Sequence, residues 1–195
     1  MTTTHFLSAL QAAVADMRAT AQSTFAPLSL AELNQQPAPG QWSILECVEH
    51  LNRYSRYYNA AFAAALAQPS SPSRPDAAVT YSWLGRKSVA LAQPTNLKKQ
   101  ATLKYLNPTG SRLSLATITE FDQHQADLLA LLARAHAADL NRKVVPVEFF
   151  RLLKLRLGEA LEFVTLHQQR HLQQASRVLT SLHANAASPL TARAT

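Results

Sequence analysis

The stretch LHQQRHLQQ, residues 166–174, sets His167 and His171 four apart within a helical pattern. On a helix, residues i and i+4 are neighbours one turn apart. Two imidazole nitrogens so placed can converge on one ion at about 2.0–2.1 Å each. Leu157, Leu161, Val164, Val178 and Leu182 mark the buried side of the same pattern, so the chain turns imidazoles towards its own interior. Two ligands are not a site, and a third must come from another helix. The remaining histidines are His5, His50, His124, His136 and His183. His5 and His183 lie near helix ends. His136 falls in the last turn of a helix, where the C-terminal dipole suits it without a metal. His124 is helix-interior, and so is His50, two turns from a capped start and beside Cys47, Leu51 and Tyr54. Spacing alone leaves two readings open, a metal site or partly buried, hydrogen-bonded histidines. H-x-x-x-H pairs arise by chance, and no glutamate directly follows the first histidine as in a zincin helix.

The elements that must position these residues are amphipathic helices. Phe6, Leu10, Ala13 and Met17 predict a first helix over 5–22. Ser29 with Glu32 matches the S-x-x-E capping box of a short helix ending before Pro37, and PAPG follows as a rigid turn. Ser43 with Glu46 repeats the box and starts a long helix to about Gln68, with Trp42 and Cys47 placed as a hydrophobic staple. Half of the ten prolines fall in 69–111, an irregular crossover in which YSWLGRKSVALA holds a short helix. A segment of that length is expected to pack over the bundle and shape the mouth of a site, with Lys98 and Lys99 free for an anionic group. A third long helix spans about 114–137. A short helix near 147–154 and a long one from about 158 to 183 complete the pattern. Four long amphipathic helices with a crossover between the second and third read as an all-α four-helix bundle. Residues 1–183 form a single domain on this reading, and 184–195 a flexible tail.

Composition sets the outer bounds. The chain has 195 residues, 47% of them hydrophobic and only four of them glycine, enough for one helical core. One cysteine excludes an internal disulfide and fits a reducing compartment. No basic leader with an apolar run and no stretch of about 18 apolar residues is found, so a cytoplasmic protein without a membrane partner is expected. The net charge of +7 is spread over scattered pairs with no basic block, which argues for a solvated surface over a nucleic-acid partner.

Two segments carry a resemblance. LNQQPAPGQWSILECVEHLN (33–52) and LGEALEFVTLHQQRHLQQASRVL (157–179) resemble the DinB/YfiT-like family, in its DinB_2 branch. The turn before a Trp-Ser helix start, the E-H-L and the terminal H-x-x-x-H-L-x-Q stand at the family's positions. The resemblance covers essentially the whole chain. It implies a four-helix bundle in up-down-down-up order and a three-histidine metal site near one end, with His50, His167 and His171 as ligands. Gln174 matches the family's glutamine. The family includes thiol-dependent transferases and isomerases that use mycothiol, bacillithiol or glutathione.

A metal held by three protein nitrogens keeps a position open, the catalytic arrangement. The expected function is therefore a divalent-metal-binding protein acting on a small molecule, by hydrolysis or by transfer of a low-molecular-weight thiol. Zinc and nickel are the ions expected, and a homodimer is a further expectation. The alternatives are a stress-response protein that binds metal or ligand without turnover and, more weakly, a nucleic-acid binder. Glu46, one turn before His50, could approach the metal, but its capping box is the preferred explanation. Gln174 could orient a ligand histidine. Cys47 could be a fourth ligand, although a staple position already accounts for a small apolar residue.

Overall fold

The computed structural model describes residues 1–69, 77–96, 98, 101–148 and 150–187. Helix α1 (Thr3–Thr20) starts at Thr2, whose hydroxyl accepts from the His5 amide. Capping boxes close on α2 (Leu30–Asn34) through Ser29 and Glu32, and on α3 (Ile44–Ala67) through Ser43 and Glu46. Helix α4 (Trp83–Ala92) lies in the crossover and is capped by Ser82. Helix α5 (Ala116–Ala135) precedes strands β1 (Val144–Val147) and β2 (Phe150–Arg156), and α6 (Leu157–Ala187) follows. No helix among the described residues is long and apolar enough to cross a membrane.

Cross-helix bonds give the directions. Asn52 donates to the Thr117 carbonyl, Arg56 pairs with Glu120, and Asn59 donates to the His124 carbonyl. Both numbers rise together, so α3 and α5 run parallel. His50 meets His167 while Tyr58, two turns on, meets Phe163, so α3 and α6 are antiparallel. Arg18 at the end of α1 pairs with Asp122 near the start of α5. The order is therefore up-down-down-up over α1, α3, α5 and α6, a four-helix bundle. Leu7, Phe25, Phe62, Phe121, Leu132 and Leu161 are fully buried between the four helices, and removing such apolar surface from water is the main force holding them together.

The segment expected as a short helix near 147–154 is instead a β-hairpin. Val145 pairs with Leu155 and Val147 with Phe150, with a bulge between Pro146 and Val147. Val145, Val147 and Leu155 are buried, which is the two-residue period of a strand. Pro146 cannot donate to a helical ladder. Tertiary bonds then decide the case: Tyr57 donates to the Pro146 carbonyl, and the Glu148 amide donates to Tyr58. Lys143 caps the end of α3 by donating to the Ala65 and Gln68 carbonyls. The helix-forming run Leu152–Leu155 yields to these contacts. At the other end, α6 continues to Ala187, so residues 184–187 of the expected tail are helical; 188–195 lie outside the described residues.

The crossover is clamped to α6. The buried Glu159 carboxylate accepts from the Ser82 amide and, at 2.8 Å, from the Arg156 amide, so one side chain serves the starts of α4 and α6. A Cβ at Gly85 would fall on that carboxylate, which is why a glycine stands there. Tyr81 donates to Glu162, and Arg170 donates to the Leu91 and Lys98 carbonyls.

Candidate metal centre

The antiparallel seam of α3 and α6 brings His50 opposite the pair His167/His171. One ligand atom from each of the three lies within 4.8 Å of the others. His50 Nδ1 is 2.9 Å from the Leu106 carbonyl, in the 3₁₀ turn Lys104–Leu106 of the crossover. A carbonyl only accepts, so Nδ1 carries the proton and Nε2 presents its lone pair. His171 repeats the arrangement, with Nδ1 3.0 Å from Gln174 Oε1. The His50 and His167 Nε2 atoms are 3.4 Å apart. Two nitrogens about 2.0–2.1 Å from one tetrahedral ion stand about 3.3–3.4 Å from each other, so this pair is set at a ligand-to-ligand spacing. Burial first, and the neighbouring histidines after it, push the His167 imidazole well below its usual range. Burial likewise lowers His50 to about 4 and His171 to about 3. The three rings are neutral at neutral pH, the form a metal binds.

The centre opens into a cleft of about 950 Å³, a size that suits a small organic ligand. Aromatic rings surround the histidines: Tyr54 lies 4.3 Å from His167 and Trp42 4.9 Å from His50, between ring centroids. Further out, the wall comes from the crossover through Leu91 and Leu103, and from the hairpin through Leu153 and Leu155. Burial raises the Tyr54 phenol to about 12, so it keeps its proton as a donor at the cleft wall. Arg170 and Arg177 are the charged residues of the lining, and no carboxylate joins them among the described residues.

Three comparisons relate this chain to known proteins. The family model for the DinB superfamily matches residues 13–175, a span that holds all three histidines and Gln174. The chain belongs to the DinB superfamily. Among curated proteins, the uncharacterized protein YuaE of Bacillus subtilis (strain 168) is 29% identical over 153 residues, covering 77% of this chain and 85% of YuaE. Among solved structures, YfiT from Bacillus subtilis shares the fold with a TM-score of 0.58 at 13% identity, over 91% of this chain and 87% of that one. YfiT is described as a probable metal-dependent hydrolase with an unusual four-helix bundle topology.

Within this DinB chain the other expected site residues fall in different places. Gln174 stands against His171, as the bond above shows. Glu46 faces away from the histidines: one oxygen accepts from the Ser43 amide and Gln36, the other from the Gly110 amide. Its carboxylate thus serves the capping box and the loop before α5. Cys47 is fully buried and outside the cluster, and its thiol is pushed up to about 12 by burial and by Glu46. Trp42 lies against His50 and His171 and donates to Thr109, so it belongs to the cleft wall. His124 is 3.2 Å from Glu120, and His136 is the C-cap residue of α5. Lys98 meets Arg170 through its backbone carbonyl, and Lys99 lies outside the described residues. Sequence reasoning passed over Arg170, Arg177 and the Leu106 carbonyl. The two arginines had a signal, since 167, 170/171, 174 and 177/178 recur on one helical face. The carbonyl had none, because any residue could offer it.

Proposed function

We propose that this DinB protein is a metal-dependent enzyme acting on a small organic substrate, with a divalent ion held by the Nε2 atoms of His50, His167 and His171. The observation that carries this reading is the convergence of three neutral imidazoles at the floor of an aromatic-walled cleft. A shared hydrogen bond between His50 and His167 explains one pair, but His171 lines the same cleft and, among the described residues, bonds only through Nδ1 to Gln174. The ion supplies Lewis acidity and lowers the pKa of a nucleophile that joins it. The protein's own part is positional. The Leu106 carbonyl and Gln174 hold two rings in one tautomer, which keeps both lone pairs on the cleft side. The Tyr54 hydroxyl can donate to an oxygen that gains charge during reaction, and the aromatic wall limits water around it.

Hydrolysis is the first reading, supported by what is said of YfiT, whose fold this chain shares. Transfer of a low-molecular-weight thiol is the second. It is favoured by the lack of a carboxylate among the described lining residues, since a thiol bound to a cation is already a thiolate and needs no protein base. Zinc and nickel suit three imidazoles, and the single reduced cysteine suits a cytoplasmic setting. Elemental analysis of protein purified without a His-tag should find about one ion per chain. Screens of the loaded protein with esters, and with electrophiles plus an added thiol, then separate the two reactions. Turnover that needs both ion and thiol selects transfer. A protein that retains no divalent ion at neutral pH refutes both.

A further inference from the structure

Helix α6 carries more than ligands on its cleft face. Arg177 lies six residues beyond His171 on that face, so the two are separated by about 9 Å of helical rise. Arg170 is committed to backbone carbonyls of the crossover. Arg177 is exposed and has no hydrogen bond or ion pair with any described residue. Elsewhere on the bundle, arginines at helix seams meet carboxylates, as Arg18 meets Asp122 and Arg53 and Arg56 meet Glu49. Among the described residues the cleft thus holds two cations, no anion and a long apolar wall. Its electrostatic complement is a molecule with a negative end and an apolar body.

We propose that Arg177 is the docking point for the anionic end of an elongated, largely apolar substrate, a carboxylate or phosphate seated two helical turns from the histidine cluster. The planar guanidinium matches the two oxygens of either group in a forked pair of hydrogen bonds. Arg170 lines the same cleft and is close enough to interact with Arg177 electrostatically, so its positive charge adds to the potential there. The apolar body lies along Trp42 and Leu91, and the reacting group reaches the histidines. Arg177 is then a specificity-determining residue. The inference rests on the cluster being the reacting centre only for the spacing. Its anion preference stands on the arginine alone.

The test uses full-length, metal-free protein, so that no ion can attract the probe. Calorimetry compares 6-phenylhexanoate with its neutral amide, 6-phenylhexanamide, at low salt. The carboxylate should bind about tenfold more tightly or better, as one charge-assisted pair allows. Arg177→Gln should erase that preference while leaving amide affinity unchanged, and Arg177→Lys should keep part of it. If Arg177→Gln proves unstable, Ser181→Asp, one turn away on the same face, should weaken the carboxylate and spare the amide. Equal binding of the two probes by the wild type, including no binding by either up to millimolar concentration, overturns the proposal. So does an anion preference that survives Arg177→Gln. The loaded protein separates this from the functional reading, using monophenyl suberate and phenyl octanoate. Anion preference without turnover of either ester sinks the hydrolase reading alone, whereas equal turnover of the two sinks the role of Arg177.

Discussion

Helix α3 takes part in two seams that handle charged groups and imidazoles differently. Along α5, in the parallel seam, each charged or imidazole group finds a protein partner. Arg56 bridges Glu49 and Glu120, and His124 Nε2 sits against Glu120. Along α6, in the antiparallel seam, three imidazoles meet, each offering a ring nitrogen within 4.8 Å of the others. His124 and His167 are both helix-interior and half-buried. The contrast shows that a buried histidine is defined by what faces it. A carboxylate one turn away pairs with a histidine, and two further imidazoles make a cluster that could hold a metal ion. Helix direction decides which occurs, because it selects the residues that arrive opposite.

The largest expected effect breaks the contrast outright. His50→Ala, His167→Ala and His171→Ala should each weaken divalent-metal binding by about 100-fold or more, since removing a ligand must cost more than removing a residue that only orients one. His124→Ala and His136→Ala should stay within about twofold of wild type, being distant and independent. Competition titration against a chelator reads both, and tight binding retained in the His50→Ala protein would remove His50 from the set.

Next in size is the pH dependence of the metal-free fold. Burial holds His50 at about 4 and His171 at about 3, against about 6.5 for a free imidazole. The unfolded chain therefore takes up protons first as the pH falls. Stability contributed by these rings is present above about 6.5 and lost progressively towards about 3–4, by at most about 1.4 kcal/mol per pH unit for each ring. Melting temperatures measured from pH 7.5 to 5.5 should fall, and His50→Gln combined with His171→Gln should flatten the slope. An unchanged slope in that double variant would mean the rings are not held neutral.

Smaller again, Gln174→Leu should cost roughly tenfold in metal affinity, because His171 loses the acceptor that orients it. Gln174→Glu should restore most of it by offering a carboxylate acceptor. The smallest effect lies in the other seam. Glu120→Gln should cost about 1 kcal/mol or less in chemical denaturation, its pairs being partly exposed, and leave metal affinity unaltered. A loss of affinity in Glu120→Gln would show that the two seams are energetically coupled.

Much of this was legible from local signals. Caps at Ser29 and Ser43 act within four residues, so α2 and α3 begin where their capping boxes stand. Apolar period 3.6 marks the long helices because one face of each must leave water. The i, i+4 spacing puts His167 and His171 on one face in any helical fold. The hairpin at 144–156 was not legible, because its Leu152–Leu155 run suits a helix until Tyr57, Tyr58 and the core claim the backbone and alternate side chains. The sequence by itself therefore determined the helices, their caps and the two-histidine face of α6. Tertiary structure alone decided that the Leu106 carbonyl meets His50 and that Arg177 lines the same cleft, and it supplied the physical contacts behind the helix directions that the family resemblance implied. The physical reason is range. Capping and periodicity act within a few residues, whereas these contacts join positions more than fifty residues apart, and only the packing of the finished core brings them together.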